Sequence, residues 1–202
     1  MQENQDVIVL KERYQLERQL GQGGQGKTWL ATDRTTQEAV VVKHLSLKET
    51  ERWKQIELFE REGEVLQGLE HEQIPHYVEM FAELDEDRAE FYLVQEFIDG
   101  MTLAEELSAS GCWTPQKAVE DLRAMLELLV WLQARVPPVI HRDIKPSNIM
   151  RRAGNGQLVL IDFGAVQLAG TDASHASTFV GTASYMAFEQ MSGKALPASD
   201  VY

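Results

Sequence analysis

The chain has 202 residues, 44% of them hydrophobic and 25% charged, enough to bury a sizeable core as one large domain or two small lobes. Its formal net charge of −13 argues against a surface built for nucleic acid or anionic membrane, because such surfaces need clustered Lys and Arg. One cysteine, Cys112, excludes an internal disulfide, and neither a leader nor a long apolar run stands out, so a cytoplasmic protein without a membrane segment in these residues is expected.

Residues 1–13 read as an N-terminal extension. From Tyr14 to Leu20, Leu16 and Leu20 alternate with polar neighbours; the glycines of 21–26 break the pattern and Thr28 to Ala31 resumes it. That predicts a hairpin around a long glycine turn. Asp33-Arg34-Thr35-Thr36 makes a second turn, and the β-branched run Ala39 to Lys43 a third strand. Between Thr50 and Leu69, Ile56, Phe59, Gly63 and Leu66 recur at helical spacing. Two more strands, Tyr77 to Ala82 and Glu90 to Gln95, end at Asp99-Gly100. The chain then turns helical. Thr114-Pro115 supplies a cap and a first-turn residue, with Ala118, Leu122, Met125, Leu126, Leu129 and Val130 expected on one packed face before Pro137-Pro138. Cys112 is expected to be semi-buried.

Gly21-Gln22-Gly23-Gly24-Gln25-Gly26-Lys27-Thr28 satisfies both G-x-G-x-x-G and G-x-x-x-x-G-K-[ST]. The second pattern belongs to P-loop nucleotide hydrolases and must open into a helix, whose N-terminus holds the phosphates. Here the residues after it look extended, although Val159 to Asp162 could pass for the metal-binding strand of that class. In that alternative Lys27, not Lys43, carries the function.

His141-Arg142-Asp143-Ile144-Lys145-Pro146-Ser147-Asn148, followed by Leu158-Val159-Leu160-Ile161-Asp162-Phe163-Gly164, resembles the catalytic loop H-R-D-x-K-x-x-N and the D-F-G motif of protein kinases. The resemblance implies an α+β fold of two lobes: an N-lobe over 14–98, of antiparallel strands plus one helix, and a mainly helical, incomplete C-lobe over 99–202. It implies that Lys43 grips the α and β phosphates of ATP and pairs with Glu62, and that Gly21, Gly23, Gly26, Thr28 and Val41 surround the nucleotide. Glu96 and Ile98 would pair with adenine through their backbone, with Gln95 as gatekeeper. Asp143 would orient the acceptor hydroxyl, Lys145 would meet the γ-phosphate, and Asn148 and Asp162 would hold Mg²⁺. His141 and Phe163 would be packing residues.

Lys145, with Gly181-Thr182 in a segment similar to G-T-x-x-Y-M-A-P-E, implies Ser or Thr hydroxyls of proteins as acceptors. Lys27-Thr28, Ile74-Pro75 and Glu189-Gln190 look most like bacterial serine/threonine kinases of the eukaryotic type. Thr178 and then Ser177 are the expected phosphorylation sites, with Arg142 as the phosphate's partner. Val41, Gln25 and Phe188 depart from the family's alanine, aromatic and proline, but no charged participant is lost. A pseudokinase or binding module that keeps the fold is the competing class. The family normally continues past Tyr202, so Leu122, Leu126, Leu129 and Val130 are expected to face water and Glu189 to lack its usual arginine.

Overall fold

The computed structural model describes residues 8–23, 26–48, 53–85, 88–169 and 181–202. The chain divides into two compact units, residues 1–70 with 75–97, and residues 71–74 with 98–202.

In the first unit, β1 (Val9–Leu10), β2 (Tyr14–Gly23), β3 (Gly26–Asp33), β4 (Ala39–Lys48), β5 (Tyr77–Asp85) and β6 (Arg88–Glu96) form a six-stranded antiparallel sheet in the order β1-β2-β3-β4-β6-β5. The extension is therefore partly ordered. Lys11 and Glu12 take φ of 47° and 56°, the left-handed pair that a tight hairpin requires, and return the chain from β1 into β2. β3 begins at Gly26 and runs through Lys27 and Thr28 as a strand, so the glycines open into no helix. That removes the P-loop reading.

Because side chains alternate across a strand, the sheet has two different faces. One carries the buried cluster Leu10, Tyr14, Ala31, Val40, Val42, Tyr92 and Val94. The other carries Val41, Lys43, Leu45 and Leu93, and receives α1 (Trp53–Gln67). The helix packs closely there: a Cβ at Gly63 would lie 2.6 Å from Met80 Sδ, the end of a flexible side chain, and 3.7 Å from Leu93 Cδ1.

The second unit contains β7 (Gly100–Thr102), α2 (Leu103–Ser110), α3 (Pro115–Gln133), β8 (Val139–Ile140), β9 (Ile149–Arg152), β10 (Leu158–Leu160), β11 (Gln167–Leu168) and α4 (Phe188–Met191). Strands β10, β9 and β7 make one small sheet, and β11 pairs with β8. Helix α2 was not anticipated from the periodicity, although its start is written in the chain: Thr102 and Glu105 form a reciprocal capping box. Thr114 caps α3 and Pro115 opens it, as expected.

The packed face of α3 differs from the expected one. Asp121, Met125, Leu128, Leu129 and Leu132 are buried; of the four residues expected to face water, Leu122 and Val130 do, Leu126 is half-buried and Leu129 is not exposed. The helix is apolar on more than one side, so periodicity alone does not select a face. On the buried side Arg151 reaches Asp121 with two hydrogen bonds of 3.2 and 2.7 Å, so the aspartate's charge is paired where the helix packs. Cys112 is exposed, not semi-buried. Among the described residues no helix is long and apolar enough to cross a membrane.

In the first unit Arg13 donates to Asp33 at 2.6 to 3.1 Å and to Glu79 at 3.1 Å, tying the end of the β1 hairpin to β3 and β5. These bonds hold the Asp33 carboxyl down from the usual 3.8 to about 2. Asp33→Asn should lower stability by about 1 kcal/mol at neutral pH, because water around the half-buried Arg13 screens the pair. Since the folded carboxyl titrates below the unfolded one, the gap between wild type and variant should persist above about pH 4 and close as pH falls toward 2. Chemical denaturation across that range reads it directly.

Candidate active site

In the first unit the strand registers align Gly21 with Thr28, Thr28 with Lys43, and Lys43 with Leu93, so one row across β2, β3, β4 and β6 shares a face. Val41 and Gln95 form the next row on that side and are both buried. Lys43 Nζ donates to Glu62 Oε1, and the two side chains are 15% and 2% exposed. A carboxylate so deeply buried stays charged only beside a partner of this kind. Gly26 has φ of 112°, and a Cβ there would lie 2.1 Å from the His44 carbonyl, so the fold itself demands glycine. Gly21 and Gly23 differ: a Cβ on either would meet no described atom within 4 Å. Glu96 is anchored by its N–H to His76 O at 2.8 Å, and Ile98 is buried in the second unit.

In the second unit the segment between β8 and β9 carries Asp143, Lys145 and Asn148. Asp143 Oδ1 accepts from Thr182 N and Thr182 Oγ1, both at 2.9 Å, and Oδ2 accepts from Lys145 Nζ at 2.7 Å and Asn148 Nδ2 at 2.8 Å. Asn148 Nδ2 also reaches the Asp143 carbonyl at 3.0 Å. Lys145 Nζ closes the circuit on Thr182 Oγ1 at 2.6 Å, so that hydroxyl donates to the carboxylate and accepts from the ammonium. Thr182 is a site residue that the sequence reading quoted in a motif without assigning it a place beside Asp143.

Asp162 follows β10 with φ of 68°, and its neighbour Ile161 donates to Asn148 O at 2.8 Å, which sets the turn carrying Asp162 against the segment carrying Asn148. His141 and Phe163 are fully buried with ring centroids 4.8 Å apart, as packing residues should be. Arg142 is buried, and its guanidinium donates to Ala165 O and to Gln167 Oε1. Ser177 and Thr178 lie outside the described residues. Glu189 accepts from Ser199 Oγ at 2.6 Å.

A family profile described as the protein kinase domain matches residues 14–202. This chain belongs to the protein kinase family. The kinase is 38% identical to serine/threonine-protein kinase C of Synechocystis over 96% of its own length and 38% of that relative's. It is 32% identical to serine/threonine-protein kinase PrkC of Bacillus subtilis, covering 94% of this chain and 28% of the relative, and 33% identical to serine/threonine-protein kinase PknB of Mycobacterium tuberculosis, covering 96% and 31%. It spans roughly a third of the length of such curated relatives.

Asp200 braces the segment that leads into Asp143, 5% exposed, accepting from His141 N and Arg142 N at 2.7 Å each. Burial pushes its carboxyl up from 3.8 to about 6, against the downward pull of those two donors. A raised carboxyl contributes most to stability below the unfolded value and loses that contribution as pH rises through the folded one. Asp200→Asn removes the titration, and its amide oxygen leaves one of the two donors facing an NH₂ group. The difference in stability between wild type and variant should therefore shrink by about 2 kcal/mol as pH rises from 4 to 7, measured by thermal melting at matched ionic strength.

Proposed function

We propose that this kinase transfers the γ-phosphoryl group of ATP to serine or threonine hydroxyls of proteins. The observation that carries the reading is the Asp143 carboxylate, held by Thr182, Lys145 and Asn148 in one orientation. In phosphoryl transfer the protein contributes mainly position and charge, and a carboxylate with fixed rotamer is suited to orient a hydroxyl and take its proton. Lys145, bonded to that acid and to Thr182, stands where it can meet the transferring phosphate.

Lys43, held by Glu62, is the cation for the α and β phosphates. Gly21 and Gly23, whose missing side chains internal packing does not explain, leave room for a phosphate to come close to backbone N–H groups. Asn148 and Asp162 supply amide and carboxylate oxygens, the hard donors that Mg²⁺ prefers, and Asn148 turns its nitrogen toward Asp143, which leaves its oxygen as the metal-binding end. When bound, the ion offsets charge on the β and γ phosphate oxygens.

The relatives' names as serine/threonine kinases support the choice of acceptor. A pseudokinase used only for binding has no need to keep a buried Lys43–Glu62 pair, since such pairs contribute little net stability. ATP as donor places the reaction in the cytoplasm. Phosphorylation at Thr178 or Ser177 belongs to the same reading; a phosphate there would add a partner to an Arg142 already bonded to Ala165 and Gln167.

Asp143→Asn should leave ATP binding nearly intact and lower turnover by roughly 10²- to 10⁴-fold. Asp162→Asn should weaken Mg·ATP binding as well. Steady-state transfer from labelled ATP to a generic protein substrate, with nucleotide affinity measured separately, distinguishes the two; wild-type turnover in both variants would remove the assignment.

A further inference from the structure

Arg142 has φ of 68°, a left-handed conformation that a side-chain-bearing residue keeps only when its surroundings hold it. Both of its backbone polar groups are held. The N–H donates to Asp200 Oδ1 at 2.7 Å, and the carbonyl accepts from Gln190 Nε2 at 2.6 Å, from 48 residues further along the chain. A carbonyl oxygen only accepts, so the nitrogen end of the Gln190 amide must face it.

That carbonyl belongs to the peptide plane that also carries the Asp143 N–H, so whatever fixes it fixes the nitrogen and Cα from which the Asp143 side chain projects. Gln190 is 7% exposed on α4, and its own N–H donates to Ala187 O at 3.1 Å. Gly181 meets the same group: a Cβ there would lie 2.8 Å from Arg142 O and 3.0 Å from Gln190 Nε2. Only glycine lets the chain pass so close, and the next residue is Thr182, whose N–H and hydroxyl bind Asp143.

We infer that Gln190 is a positioning residue for phosphoryl transfer: it clamps the Arg142 carbonyl and so couples the segment 181–191 to the peptide plane from which Asp143 projects. The inference rests on the kinase reading of Asp143. It differs from a packing role because the bond has a direction. A donor is required at position 190, and bulk alone does not replace it.

The test uses Gln190→Met, Gln190→Glu and Asp143→Asn in the full chain. Gln190→Met keeps length and loses the donor; kcat should fall about tenfold while the KM for ATP stays within about twofold. Gln190→Glu offers a donor only while protonated, so the ratio of its kcat to that of wild type should fall as pH rises. Wild-type kcat in Gln190→Met, with or without a lowered melting temperature, would reduce Gln190 to packing and overturn the inference. Should Gln190→Met give no cooperative melt, the pH dependence of the Gln190→Glu ratio decides, and a flat ratio overturns it. Wild-type turnover in Asp143→Asn is a separate failure, because it removes the kinase reading itself.

Discussion

The segment from His141 to Lys145 belongs to no helix or strand, so its backbone donors have no ladder to satisfy them and need other partners. Asp200 meets two consecutive ones at 2.7 Å each, across 58 and 59 residues of sequence. Burying a carboxylate is costly unless it is fully hydrogen-bonded, and here the bonds it makes are the ones the loop needs. The left-handed Arg142, the ring contact of His141 with Phe163, and the direction of Asp143 all follow from a loop pinned at that point. Thr182, Lys145 and Asn148 then complete the acid from three directions, one of them 39 residues away. The Asp143 carboxylate is thus held by groups that come together only when the second unit folds.

In the first unit the comparable constraint is the pairing of Lys43 with Glu62. Ion pairs this buried are weak contributors to net stability, because each charge gives up its hydration. The sheet places Lys43 by register, two residues along β4 from Val41 and opposite Thr28, whereas Glu62 is placed by a helix. The helix packs closely at Gly63, the next residue, against Met80 and Leu93.

Much of this was legible in the chain. The alternation around Tyr14 to Leu20, the β-branched run ending in Lys43 and the Thr114-Pro115 start all correspond to observed elements, because local patterns express preferences that packing here does not override. The glycine-rich stretch was ambiguous between two phosphate loops, and the strand that begins at Gly26 separates them. The face of α3 was not legible. Apolar residues on several sides left the choice open, and an aspartate whose partner, Arg151, lies 30 residues away turned inward. Helix α2 was overlooked although its capping box stands in the sequence, since a helix of 8 residues has too few turns to establish a period.

Sequence alone determined which residues are candidates for the site and their order: Lys43, Glu62, Asp143, Lys145, Asn148 and Asp162 stand at spacings that local motifs can carry. It also determined most of the strands, since alternation and turn chemistry act over a few residues. Tertiary structure decided what holds those groups in place. The roles of Thr182, Asp200 and Gln190 around residues 141–143 depend on hydrogen bonds between segments 39 to 59 residues apart. No local pattern encodes such a bond, because its two partners meet only through the path of the chain between them.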